Sequence, residues 1–173
     1  AQLFSGAALR ITLRAAHLLQ QEGVLPDSVQ KLRREVFEEW GVIIPDLQFD
    51  VDGASREIST RIMLNGVEMM KVERAGQSEN SSGGKRYSIE IIDCLKEFFQ
   101  RYLPELLNDT QTRMLLDLHQ PSAEDLINSV VPELISVTSL TTLLRQLLCE
   151  GVSVRALGVI LQAVAEYKLS LKE

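Results

Sequence analysis

Leu140, Leu143, Leu144, Leu147 and Leu148 recur at i, i+3, i+4, i+7 and i+8. An α-helix turns every 3.6 residues, so this spacing gathers all five on one side. Such a face must be covered, and the next segment suits the task. Val154, Leu157, Ile160, Leu161 and Val164 form a second stripe of the same period. Gly151 stands where the first helix should end, because glycine accepts the left-handed backbone of a helix C-terminus. Ser153 is placed to N-cap the second. These features predict an αα-hairpin with Leu144, Leu147, Leu157, Ile160 and Leu161 nearly fully buried.

Upstream the helical pattern continues. Ile89 to about Leu107 is helix-rich, with an interruption near Pro104. Asp109-Thr110 can cap a helix carrying Met114, Leu115 and Leu118. Pro121-Ser122-Ala123-Glu124 starts another, which runs to the Val130-Val131-Pro132 break. The first 72 residues read differently. Leu9, Ile11 and Leu13 alternate with Arg10, Thr12 and Arg14, the period of a half-buried strand. Pro26-Asp27-Ser28 opens a helix whose apolar positions are Val29, Leu32, Val36 and Phe37, and Gly41 ends it. Leu47, Phe49 and Val51 alternate again. Ile58 to Leu64 and Val67 to Lys71 flank Asn65-Gly66, a pair suited to the positive φ angles of a type I′ hairpin turn. The expected fold class is α+β. A small N-terminal α/β subdomain with an antiparallel hairpin (1–72) precedes a flexible linker (73–86). An all-helical half follows, as a helical subdomain (87–131) and a C-terminal helical hairpin (132–173). The linker expectation rests on Glu73–Arg86, which is rich in Gly and Ser and has no period.

Composition narrows the chemistry. The chain has 173 residues, 18 basic and 24 acidic, for a net charge of −6. That balance disfavours broad binding to nucleic acid or anionic membrane. No apolar run approaches the roughly 20 residues of a membrane helix, and no basic-then-apolar signal peptide opens the chain. Cys94 and Cys149 sit among apolar residues and read as two buried, reduced thiols. The two histidines, His17 and His119, lack partners at metal-ligand or catalytic spacing. Ser81-Ser82-Gly83-Gly84-Lys85 lacks the leading glycine and the final Ser/Thr of a phosphate loop and reads as flexible. Glu38-Glu39 and Glu124-Asp125 read as solvated helix faces or first-turn acids. The expectation is a non-enzymatic protein with no catalytic residues, no cofactor and no metal.

The last two helices also have the outline of a helix-turn-helix DNA reader, the alternative reading of function. The second helix argues against it. Residues 154–168 offer only Arg155 and Lys168 as bases, opposed by Glu166.

The segments Pro132–Ile135, Leu143-Leu144-Arg145-Gln146-Leu147-Leu148, Glu150-Gly151-Val152-Ser153-Val154-Arg155 and Ile160–Tyr167 resemble the cytoplasmic part of the large export-gate subunit of type III secretion systems, the FlhA/LcrD/SctV family of flagella and injectisomes. Asp109-Thr110-Gln111 with Met114–Asp117 is similar to the family's "ETQ…LLD". Leu32–Val42 with Pro45 is similar to its "LR…LFEELGV-x-x-P". Asn65-Gly66-Val67 falls at the family's hairpin. The chain departs in four places, one being that, by the resemblance, the C-terminal hairpin subdomain (132–173) is truncated, its tail cut soon after Tyr167. Arg155-Ala156-Leu157 lacks the acid of "RDL", and Asp93-Cys94-Leu95 replaces "THL". A Gly- and aromatic-rich subdomain between hairpin and long helix is replaced by residues 73–86.

The resemblance implies a homo-oligomer, a nonameric ring at the cytoplasmic side of the bacterial inner membrane. Any membrane attachment would come through an N-terminal half not contained here. It implies export chaperones, secreted substrates and other export-apparatus proteins as partners, and no nucleic acid. It places ring contacts largely in residues 87–131. That segment is acidic, with Lys96, Arg101 and Arg113 against many more Asp and Glu. Arg10, Arg14, Lys31, Arg33 and Arg34 are the complementary ring-interface candidates.

Overall fold

The computed structural model describes residues 9–14, 24–52, 58–74 and 83–171, and side chains within 27–50, 59–73 and 89–171. Its elements follow the order β1 (Leu9–Arg14), α1 (Val24–Trp40), β2 (Leu47–Asp52), β3 (Ile58–Leu64), β4 (Val67–Arg74), α2 (Gly83–Leu106), α3 (Asp109–Val130), α4 (Val137–Cys149) and α5 (Leu157–Ser170). This is the α+β class expected. The chain divides into two compact units, residues 7–34 with 45–102, and residues 1–6 with 35–44 and 103–173. They cut across the segments 1–72 and 87–173, since α1 and α2 each contribute to both.

In the sheet unit the strand order is β2-β1-β3-β4. β1 pairs parallel with β2, and antiparallel with β3. The register aligns Leu9, Ile11 and Leu13 with Leu47, Phe49 and Val51 on one side and with Leu64, Ile62 and Thr60 on the other. One sheet face is therefore apolar, and Ile62 and Leu64 are buried. Val29 and Leu32 of α1, and Ile91, Leu95, Phe98 and Phe99 of α2, supply the rest of this core. The hairpin turn has Asn65 at φ 52° and Gly66 at φ 84°, both left-handed as its sequence requires. β4 carries a bulge, because Ile62 faces Met70 while Met63 faces Glu68. Met69 is the extra residue, and its carbonyl accepts from the Tyr102 hydroxyl at 3.3 Å.

α2 begins at Gly83 and β4 runs to Arg74, so the expected linker is shorter than 73–86 at both ends. Residues 75–82, including Ser81 and Ser82, lie outside the described residues. Gly83, Gly84 and Lys85 form the first turn of a helix that buries Ile91, Cys94, Leu95, Phe98 and Phe99 further on. Packing of that face outweighs the poor helix propensity of two glycines. The interruption expected near Pro104 falls at Tyr102 (φ −120°, ψ 19°), and the one at Pro121 falls at Ala123 (φ −146°, ψ 31°). A proline inside a helix removes a hydrogen bond and crowds the preceding turn, which accounts for the break at Tyr102, while Ala123 follows its proline and lies outside that effect.

The helical unit is closed by an unusual set of hydrogen bonds. A helix leaves its last carbonyls without partners. At the end of α1, Gly41 N–H donates to the Phe37 carbonyl at 2.9 Å, and Val154 N–H donates to that of Trp40 at 3.0 Å. The Ser153 hydroxyl donates to the Glu39 carbonyl at 2.8 Å and Arg155 Nη1 to that of Glu38 at 2.7 Å. Residues 153–155 thus cap a helix more than 110 positions away in sequence. Gly41 has φ +74°, and a Cβ there would stand 2.4 Å from the Arg155 backbone.

This cap corrects the expected role of Ser153. α5 starts at Leu157, its N-cap position is Ala156, and no side chain caps it. Gly151 does end α4, at φ +74°, with its N–H on the Leu148 carbonyl and that of Val152 on Leu147. In α3 the cap is Asn108, whose Oδ1 accepts from the N–H groups of Thr110 and Gln111. Asp109-Thr110 therefore begin the helix rather than cap it. The leucine stripe is narrower than expected. Leu140, Leu144 and Leu148 are buried, as are Leu157 and Leu161, while Leu147 and Ile160 are half-buried.

Two measurements of unfolding free energy check this packing. Gly41→Ala should cost more than about 2 kcal/mol, because it adds a backbone clash to a left-handed φ. Leu144→Ala should cost roughly 2–5 kcal/mol, and clearly more than Leu147→Ala.

Candidate functional site

All five ring-interface candidates belong to the sheet unit. On α1, Val29, Leu32 and Val36 are buried at helical spacing, which turns Lys31 and Arg34 outward. Arg33 is half-buried and pairs with Asp46 at 3.1 Å. Arg10 and Arg14 share one face of β1, in register with Gln48 and Asp52 of β2; their side chains lie outside the described residues. The structure therefore gathers Lys31 and Arg34 on one exposed surface and assigns Arg33 an internal partner. Acids interleave with the bases, since Glu35 and Glu38 follow Lys31 and Arg34 by four residues.

The helical unit presents two exposed apolar surfaces that the leucine pattern did not announce. Met114 and Leu118 lie one turn apart on α3, 46% and 55% exposed, beside exposed Arg113 and Asp117. Val159, Ala163, Tyr167 and Leu171 form a four-residue ridge along α5, also exposed. The signal for both was available. α5 is apolar nearly all the way round, so burying Leu157 and Leu161 leaves other apolar residues outside. This outer face carries Glu166, bonded to Gln162 at 3.0 Å, and no exposed base. Arg155, counted toward a recognition helix, precedes α5 and points to the end of α1. Such a surface does not suit a polyanion.

Polar groups join α3 to α4. The Thr138 hydroxyl donates to Asp109 Oδ2 at 2.6 Å, and the Thr141 and Thr112 hydroxyls meet at 2.8 Å one turn further along. The bond from Thr138 holds the Asp109 carboxyl below its ordinary value of 3.8. Gln111 is buried beside them, with no hydrogen-bond partner for Oε1.

Cys94 is buried, and desolvation, with Glu97 nearby, pushes its thiol up to about 11. Cys149 is exposed at the end of α4, which corrects the expectation that both thiols are covered. Its position follows from the Leu140–Leu144–Leu148 line, which turns residue 149 outward. His119 Nδ1 lies 2.8 Å from the Leu115 carbonyl within α3; His17 lies outside the described residues. Among the described residues no three His, Cys, Asp or Glu side chains cluster as a metal site would need, and no helix is long and apolar enough to cross a membrane.

The comparisons with known proteins turn on this fold. The FHIPEP family signature matches residues 86–173, half of the chain. The chain belongs to the FHIPEP family. It is 21% identical over 194 aligned positions to the flagellar biosynthesis protein FlhA of Buchnera aphidicola subsp. Schizaphis graminum, covering 90% of this chain and 28% of that protein. It superposes on CdsV from the Chlamydia pneumoniae CdsV–CdsO complex with a TM-score of 0.79, at 19% identity, over 98% of this chain and 64% of that one. Against the nonameric EPEC SctV-C the TM-score is 0.75 at 15% identity, over 94% of this chain and 60% of that one. The chain thus spans about a quarter of the FlhA relative and under two thirds of the solved domains. These likenesses give the DNA-binding reading no support.

Two solution measurements follow. A thiol reagent at neutral pH should modify Cys149 and spare Cys94, read by mass spectrometry of the folded protein. Asp109→Asn should lower the Tm at pH 7. A carboxyl whose folded pKa is lowered adds stability above its unfolded pKa, and that stability is lost as pH falls through the folded value. The Tm difference from the parent should therefore vanish in strong acid.

Proposed function

We propose that the chain is a cytosolic part of a type III protein export gate. It assembles as a homo-oligomeric ring, receives chaperone–substrate complexes and helps order their export. The observation that carries this reading is the family match over residues 86–173 of a chain whose fold superposes on a domain solved as a nonamer. Binding and movement accomplish such a task without covalent chemistry. The place of action is the cytoplasmic face of the bacterial inner membrane. Export chaperones, secreted substrates and export-apparatus proteins are the partners, in line with a relative solved in complex with CdsO.

A closed ring uses two different surfaces of each subunit, so its contact is head-to-tail. The basic side of the contact draws on the sheet unit, from Arg10, Arg14, Lys31, Arg33 and Arg34. Lys31 and Arg34 are the exposed members of this set on α1, and Arg33 is half-buried against Asp46. Ion pairs of this kind are screened by salt.

Sedimentation of the purified chain across concentration should show association that strengthens at low salt, and immobilised chain should retain export chaperones from the source cell. The combined variant Lys31→Glu, Arg34→Glu should associate more weakly with an unchanged Tm. A chain that stays monomeric at millimolar concentration, or forms only a two-fold dimer, would overturn the ring.

A further inference from the structure

We draw no further inference here: the strongest candidate, the exposed apolar ridge of Val159, Ala163, Tyr167 and Leu171 along α5, carries none because nothing in the structure shows what covers it.

Discussion

The end of α1 is where distant parts of the chain become one structure. Four successive carbonyls, Phe37 to Trp40, leave the helix with nothing in α1 to receive. Water would satisfy them on an isolated helix. Here Gly41 takes the first, and Arg155, Ser153 and Val154 take the others. The turn between α4 and α5 therefore has a position dictated from outside the hairpin. Its own helices do not hold Ser153, since α5 starts only at Leu157. Gly41 is the condition for the whole arrangement. The backbone of Arg155 comes closer to it than any Cβ permits, and the chain turns there with a positive φ. Leu140, Leu144, Leu157 and Leu161 then close over the interior on terms this contact allows.

Local features were legible in the sequence because their causes are local. Asn65-Gly66 demands a hairpin turn through its own φ angles, and the alternation around it supplies the strands. Gly151 ends α4 for a similar reason. Where a remote partner decides, the pattern misled. Ser153 looked like an N-cap because serine before an apolar stripe usually is one, but it serves the Glu39 carbonyl instead. Gly83 and Gly84 looked like linker because glycine is a poor helix former, and burial further along α2 overrode that. The five-leucine stripe promised more burial than one neighbouring layer provides. A helix lying against one layer buries a line of residues four apart, so Leu143 and Leu147 are left at the edge.

The candidate surfaces were partly legible too. The basic residues of α1 were visible as charges, but their sequence did not separate Arg33 from Arg34. One position on a helix is a 100° turn, and it decides whether the guanidinium meets Asp46 or faces outward. Met114 and Leu118 were counted as apolar helix positions with no sign of which side they take. Burial of Leu115 and Leu116 settles that. The useful quantity in such a protein is the remainder, what a helix leaves outside after its core side has been assigned.

That remainder sets what a partner of the helical unit can recognise. Specificity between surfaces needs a pattern that rejects wrong alignments as well as one that rewards the right one. An apolar patch alone associates with many partners. The pair Met114 and Leu118 is flanked by Arg113 and Asp117, so a partner there must also match charges. Along Val159, Ala163, Tyr167 and Leu171 the exposed charge on α5 is Glu166, which bonds to Gln162. The two exposed apolar faces of the helical unit therefore differ in kind. The α3 face suits a partner that brings its own charges to Arg113 and Asp117. The α5 face offers mainly apolar area.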